Sequence, residues 1–212
     1  MFGDDSPFPA FELSFKDVTC QRGSRLLFQD LSFKLNAGEL LWIQGANGVG
    51  KTSILRLAAG FFRPAAGEIA LNGHPVAHEA SSLIALQSHH DGFEPDFNVW
   101  EELDFWRDIY EYDGDLSALM NGVGLTEQKK VKVAGLSAGQ KRRLALARLF
   151  LTNRPLWLLD EPKAAMDKLG QKLIDASLEW HLSRGGSALI ATHNMARPAG
   201  RKSRRLLLEA SQ

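Results

Sequence analysis

Residues 40–44, Leu-Leu-Trp-Ile-Gln, form a nearly unbroken apolar run, the pattern of a short strand covered on both faces. Upstream, residues 11–19 and 26–35 alternate apolar and polar positions around a turn at Gly23, which predicts an N-terminal antiparallel β region. Short apolar runs at 68–71, 83–86, 156–159 and 188–191 predict further strands, and residues 206–208 are strand-like. Helical patterns span 52–59, 137–151 and 169–183, the first stopped by Gly60. Strand and helix therefore alternate, which predicts an α/β core with a mostly parallel sheet. After Gly92 the pattern changes. Val99, Trp100, Leu103, Trp106, Ile109 and Tyr110 recur at helical spacing, and shorter helices are predicted at 116–123 and 126–131. The reading is a single domain over residues 11–212, with a helical subdomain, about residues 92–150, inserted in the α/β core.

With 212 residues, 44% of them hydrophobic, the chain can bury one full core. Its 25 basic and 25 acidic residues cancel, so no nucleic-acid partner is expected on charge. Cys20 is the single cysteine, which excludes an internal disulfide, fits a reducing compartment and suits a small buried apolar role. No apolar run reaches the ~20 residues needed to span a bilayer. Residues 1–10 carry Asp4 and Asp5 but no basic leader, so no secretory signal is expected.

Gly45, Ala46, Asn47, Gly48, Val49, Gly50, Lys51 and Thr52 match the phosphate-loop pattern and lie between a predicted strand and a predicted helix. The glycines let backbone N–H groups curl round phosphates, Lys51 meets the β/γ oxygens, and Thr52 can hold Mg²⁺; Ser53 completes the ATP-binding candidates of this loop. Residues 156–161, Leu-Trp-Leu-Leu-Asp-Glu, form an apolar strand ending in two carboxylates. Asp160 suits a Mg²⁺ site, and Glu161 suits polarising an attacking water. His193 follows the predicted strand 188–191 and is expected at the γ-phosphate. Leu136, Ser137, Ala138, Gly139 and Gln140 form a small turn that opens a basic helix and offers N–H groups and a positive dipole end to an anion.

In this order the phosphate loop, the 136–140 signature, Asp160-Glu161, Asp167 and His193 resemble the nucleotide-binding domain of ABC transporters, over essentially the whole chain. The resemblance implies a P-loop NTPase fold, ATP and Mg²⁺ as ligands, and ATP hydrolysis. It implies that Ser137 and Gly139, with Gln140 beside them, reach nucleotide bound by a second copy, and that Asp167 lies in the loop linking the two sites. One chain's loop and signature cannot both reach one ATP, so two copies are expected to sandwich two ATPs head to tail.

Some positions depart from the common pattern. Ala138 stands where glycine is commonest, and Ala164 and Met166 stand where a hydroxyl residue and leucine are usual before Asp167. Arg22 takes the place of the aromatic that stacks on adenine; its guanidinium either stacks on the base or is a solvated turn residue. Two residues compete for the switch-region glutamine. Gln87 ends the 83–86 strand, whereas counting back from residues 99–103 favours His89, as a polar contact to the Mg²⁺-bound or attacking water.

Within the superfamily, the residues look most like the ATP-binding subunit of the bacterial haem exporter used in cytochrome c maturation. The likeness lies in Cys20-Gln21-Arg22 before Leu27-Phe28, in residues 35–39, in His89, and in residues 101–106 and 136–148. It implies a peripheral subunit on the cytoplasmic face of the bacterial inner membrane, docked on integral membrane transporter subunits, whose ATP hydrolysis drives haem export or release of a haem-loaded chaperone. Direct haem binding is not expected, because the histidines are scattered. Phe93, Phe97, Trp100 and Trp106 either form a groove for a short helix of the membrane partner or pack the insert itself. Arg197, Arg201, Lys202, Arg204 and Arg205 form either a solvated face or a contact with anionic lipid. The alternatives are an exporter ATPase for lipid, polysaccharide or another small molecule, and a non-transport ABC ATPase. Against the last stand a single cassette, no heptads and zero net charge.

Overall fold

A computed structural model of the chain describes residues 6–76, 82–88, 92–193 and 203–209. In chain order the elements are β1 (Glu12–Arg22), β2 (Arg25–Asn36), β3 (Leu40–Gln44), α1 (Lys51–Ala58), β4 (Ala66–Leu71), β5 (His74–Pro75) and β6 (Ile84–Gln87). They continue with α2 (Val99–Ile109), α3 (Leu116–Gly122), α4 (Ala138–Thr152), β7 (Leu156–Asp160), α5 (Lys168–Ser183), β8 (Ser187–Thr192) and β9 (Ser203–Leu207).

Every residue of β3, β7 and β8 is buried, and these strands are the centre of a parallel sheet ordered β6-β7-β8-β3-β9. Burial on both faces explains why their sequences read as unbroken apolar runs. Along β7 the side chains divide in turn. Leu156 and Leu158 enter a core shared with α1 and the antiparallel sheet, while Trp157 and Leu159 enter a second core shared with α2 to α5. The antiparallel sheet has the order β2-β1-β4-β5. Its β1–β2 register shifts between Phe15↔Phe33 and Val18↔Leu31, a bulge at which Asp17 takes a φ of 51°.

The fold class read from the sequence is observed, with small shifts of element ends. One expectation fails. Residues 126–131 form no α-helix, only a single tight turn over Thr126–Gln128, with the Val131 N–H turned back to the Gln128 carbonyl. None of the turn's residues is buried, so no apolar face pulls the segment into a longer helix, and one turn does not propagate by itself. Of the C-terminal basic cluster, Arg197, Arg201 and Lys202 lie outside the described residues. Arg204 and Arg205 are exposed, and Arg204 also donates to the Lys34 carbonyl and to Glu39. Among the described residues no helix is long and apolar enough to cross a membrane.

Candidate nucleotide site

The end of β3 delivers the chain into residues 45–50, and α1 begins at Lys51. Gly50 caps α1 with φ 113°, and a Cβ there would sit 3.0 Å from the Phe28 ring. At Gly45 a Cβ would overlap the Leu208 carbonyl oxygen, because β9 runs in parallel register beside β3. The start of the loop is therefore fitted to the end of the last strand. Lys51 is buried, and its Nζ donates to the carbonyls of Gly45 and Ala46, each at 2.9 Å. Among the described residues it meets no carboxylate, and the first turn of α1 carries no acidic residue. A buried ammonium without counter-charge, at a helix N-terminus, fits a polyphosphate.

Across 108 residues of sequence, the Thr52 hydroxyl donates to Asp160 Oδ2 at 2.9 Å. Hydroxyl and carboxylate oxygens so placed are the donor set of a hard divalent cation, and Mg²⁺ fits them. One residue on, Glu161 adopts a left-handed φ of 48° and its carboxylate turns to the end of β8. Glu161 Oε1 accepts from the His193 backbone N–H at 2.7 Å and lies 2.8 Å from His193 Nδ1, while Oε2 accepts from Thr192 at 3.0 Å. A cavity of about 520 Å³ is lined by Gly45, Ala46, Asn47, His193 and residues 207–209. The structure thus gathers Lys51, Thr52, Asp160, Glu161 and His193 at one mouth of the parallel sheet, beyond the carboxyl ends of its strands, where open α/β sheets hold ligands.

The signature residues sit at the head of α4. Ser137 caps α4: its hydroxyl accepts from the Gln140 N–H at 3.2 Å, and Gln140 Oε1 accepts from the Ser137 N–H at 2.9 Å. Ser137 stays exposed at the helix head, anchored through buried Leu136. Gly139 packs close to the loop after β7, where a Cβ would stand 3.2 Å from the Ala165 carbonyl. In that loop Asp167 caps α5 through the Gly170 N–H at 2.7 Å and receives Arg143 of α4 at 3.3 Å.

Arg22 lies in cross-strand register with Arg25, on a cavity of about 550 Å³ that also touches Ser53, Arg56, Phe61 and Phe62. Gln87 faces elsewhere. With Ala85 it lines a cavity of about 100 Å³ beside Ala145 and Arg148, which Leu86 also borders, whereas the Arg22 cavity is bordered by Leu86 and Ser88 but not by Gln87. Its buried amide has no partner among the described residues. His89, the competing candidate, lies outside the described residues. Sequence reasoning missed the closeness of residues 207–209 to the loop, and it missed the buried Glu102 and Arg142. A charge at 102, on the apolar face defined by 99, 103 and 106, was the available signal for Glu102.

Residues 28–164 match the family model of the ABC transporter. The chain belongs to the ABC transporter family. A cytochrome c biogenesis ATP-binding export protein CcmA from Rhodopseudomonas palustris strain HaA2 is 42% identical, covering 94% of this chain and 98% of the relative. The protein of the same description from Haemophilus influenzae is 38% identical, covering 88% of this chain and 91% of its own. The cassette is thus of the CcmA type. Its fold is shared by an ABC transporter ATP-binding protein from Pyrococcus furiosus (TM-score 0.80, 23% identity, 93% and 97% of the two chains). It is also shared by a dimeric ATP-binding cassette holding ADP and Pi after hydrolysis (TM-score 0.75, 21% identity, 86% and 88% of the two chains).

Proposed function

We propose that this cassette binds and hydrolyses ATP as a peripheral subunit of a membrane transporter, and that the work done is haem export, or release of a haem-loaded chaperone, in cytochrome c maturation. The single observation that carries the hydrolytic half is the Glu161 carboxylate held by Thr192 and His193 beside the Thr52–Asp160 pair. Support for the transport half comes from full-length likeness to CcmA proteins.

Lys51 and the N–H groups of residues 45–50 hold the phosphates. Thr52 and Asp160 would hold Mg²⁺, which would supply positive charge to the phosphate oxygens. Glu161 takes the proton of the attacking water, and His193, bonded to that carboxylate, orients it and faces the γ-phosphate. Ser137, Gly139 and Gln140 meet the ATP held by a second copy, so two chains close head to tail over two ATPs. Support comes from Ser137, which is exposed at the head of α4. Partner subunits in the membrane carry the cassette to the cytoplasmic face of the bacterial inner membrane.

Glu161→Gln keeps the size and the acceptor oxygen but cannot take a proton. In the complex with its membrane subunits, turnover should fall by about 10²–10⁴-fold with ATP binding retained. Hydrolysis at the wild-type rate would refute the assignment of the base.

A further inference from the structure

The turn that follows α1 presents two phenylalanines to water. Phe61 is 68% exposed and Phe62 39%, and they are the only adjacent pair among the large exposed apolar side chains of the described residues. The backbone that carries them is pinned at both ends. Gly60, at φ 73°, donates to the Leu57 carbonyl and Phe61 to that of Arg56, each at 3.0 Å, which closes α1 with a left-handed cap. Beyond the pair, the Ala65 N–H donates to the Thr19 carbonyl of β1 at 2.8 Å. In such a cap the residue after the glycine commonly folds back onto the last helical turns. Phe61 does not, although Leu55 of the same helix is buried within reach of that position.

Arginines flank the pair. Arg56 and Arg63 stand on either side of it in sequence, and Arg22 and Arg25 stand in cross-strand register at the tip of the β1–β2 hairpin. The cavity of about 550 Å³ that Arg22 borders is also lined by Arg56, Phe61 and Phe62, and no acidic residue lines it. Among the described residues none of these four arginines forms an ion pair. Single exposed apolar side chains are ordinary on a protein surface, but an aromatic pair on a rigid turn within a ring of uncompensated cations is not. The guanidinium groups call for anions and the rings for an apolar phase. An anionic bilayer offers both in layers, phosphates outermost and acyl chains beneath, and arginine stems reach across that boundary.

We propose that Phe61 and Phe62, with Arg56, Arg63 and Arg25 around them, form a contact with the surface of an anionic lipid bilayer. The rings enter the boundary between headgroups and acyl chains while the arginines meet lipid phosphates. This contact is additional to docking on membrane subunits, and it does not rest on the assignment of the catalytic base.

The test is flotation of the full chain with two kinds of vesicle, phosphatidylcholine alone and equal parts of phosphatidylcholine and phosphatidylglycerol. Wild type should bind the mixed vesicles at least about tenfold more tightly, and added salt should release it. Phe61→Ser with Phe62→Ser should weaken binding to the mixed vesicles by about tenfold. Arg56→Gln with Arg63→Gln should weaken it by about 25-fold, roughly fivefold for each charge removed. Both double variants should keep the wild-type melting temperature and Kd for ATP. Equal binding to the two kinds of vesicle, variants that bind like wild type, or losses that follow melting temperature would overturn the proposal. So would a wild-type chain that ignores both vesicles while the Phe61→Ser, Phe62→Ser variant no longer co-purifies with the membrane subunits, since the patch would then belong to a protein partner.

Discussion

Acid should destabilise this fold through one residue, His181. The ring is fully buried on α5, stacked on Trp157 with centroids 3.9 Å apart at 13°, and met edge-on by Phe8 at 5.3 Å. Nε2 lies 3.0 Å from the Pro155 carbonyl and 3.2 Å from that of Ser187, so the neutral ring carries its proton there; Nδ1 has no partner among the described residues. Burial is the main reason the charged form is disfavoured. The two carbonyl contacts oppose it, the Arg184 guanidinium adds to it, and the pKa falls from 6.5 to about 3. An unfolded chain takes up this proton near pH 6.5, the folded chain only near pH 3. Between those values the unfolded state binds more protons, so stability is complete above pH 6.5 and is lost as pH falls. At pH 5 the group is about 1.5 units into that window, which corresponds to about 2 kcal/mol. For a chain of this size that is roughly 4–8 °C in melting temperature. The assay is urea unfolding of the full chain from pH 7.5 to 5, beside His181→Gln. The variant keeps a donor for the carbonyls but cannot titrate; carboxylates contribute equally to both proteins. Wild type should lose about 2 kcal/mol more than the variant over this range. Equal losses would refute the argument.

Gly45→Ala places a methyl group against the Leu208 carbonyl, so it should cost about 1–3 kcal/mol of stability and weaken ATP binding, both measurable in one set of unfolding titrations with and without nucleotide. Unchanged values would mean β9 yields freely. Ser137→Ala removes the cap of α4 and should cost about 1 kcal/mol, while Ser137→Gly should cost only a few tenths. Equal costs would show that the hydroxyl is not capping. Thr52→Ala removes the donor to Asp160, so ATP binding should survive without Mg²⁺ while the gain on adding Mg²⁺ shrinks; calorimetry with and without the ion would contradict this if the gain were intact.

Chemistry carried on contiguous residues was legible beforehand. The phosphate loop, the strand ending in Asp160-Glu161 and the Ser137–Gln140 turn each contain their own geometry, because backbone N–H groups, a cap and a strand end are local. The sheet alternation also held more than was taken from it. With period two, Gln87 shares the face of Ala85, which enters the core formed with α4, and among the described residues neither lines the Arg22 cavity. Residues 126–131 misled for the opposite reason: the helical spacing there had no buried face behind it.

The sequence alone therefore determined most of the elements, the parallel α/β core, the family resemblance and the candidate residues for a phosphate site, all of which depend on short-range spacing. Only the tertiary structure decided that Thr52 meets Asp160, that Glu161 turns to Thr192 and His193, that Gly45 must clear Leu208, and that Arg142 and Glu102 hold Ser88 and Glu94. Those pairings depend on which strands lie side by side and which helix covers them, and neither distance nor burial is encoded in the neighbouring residues.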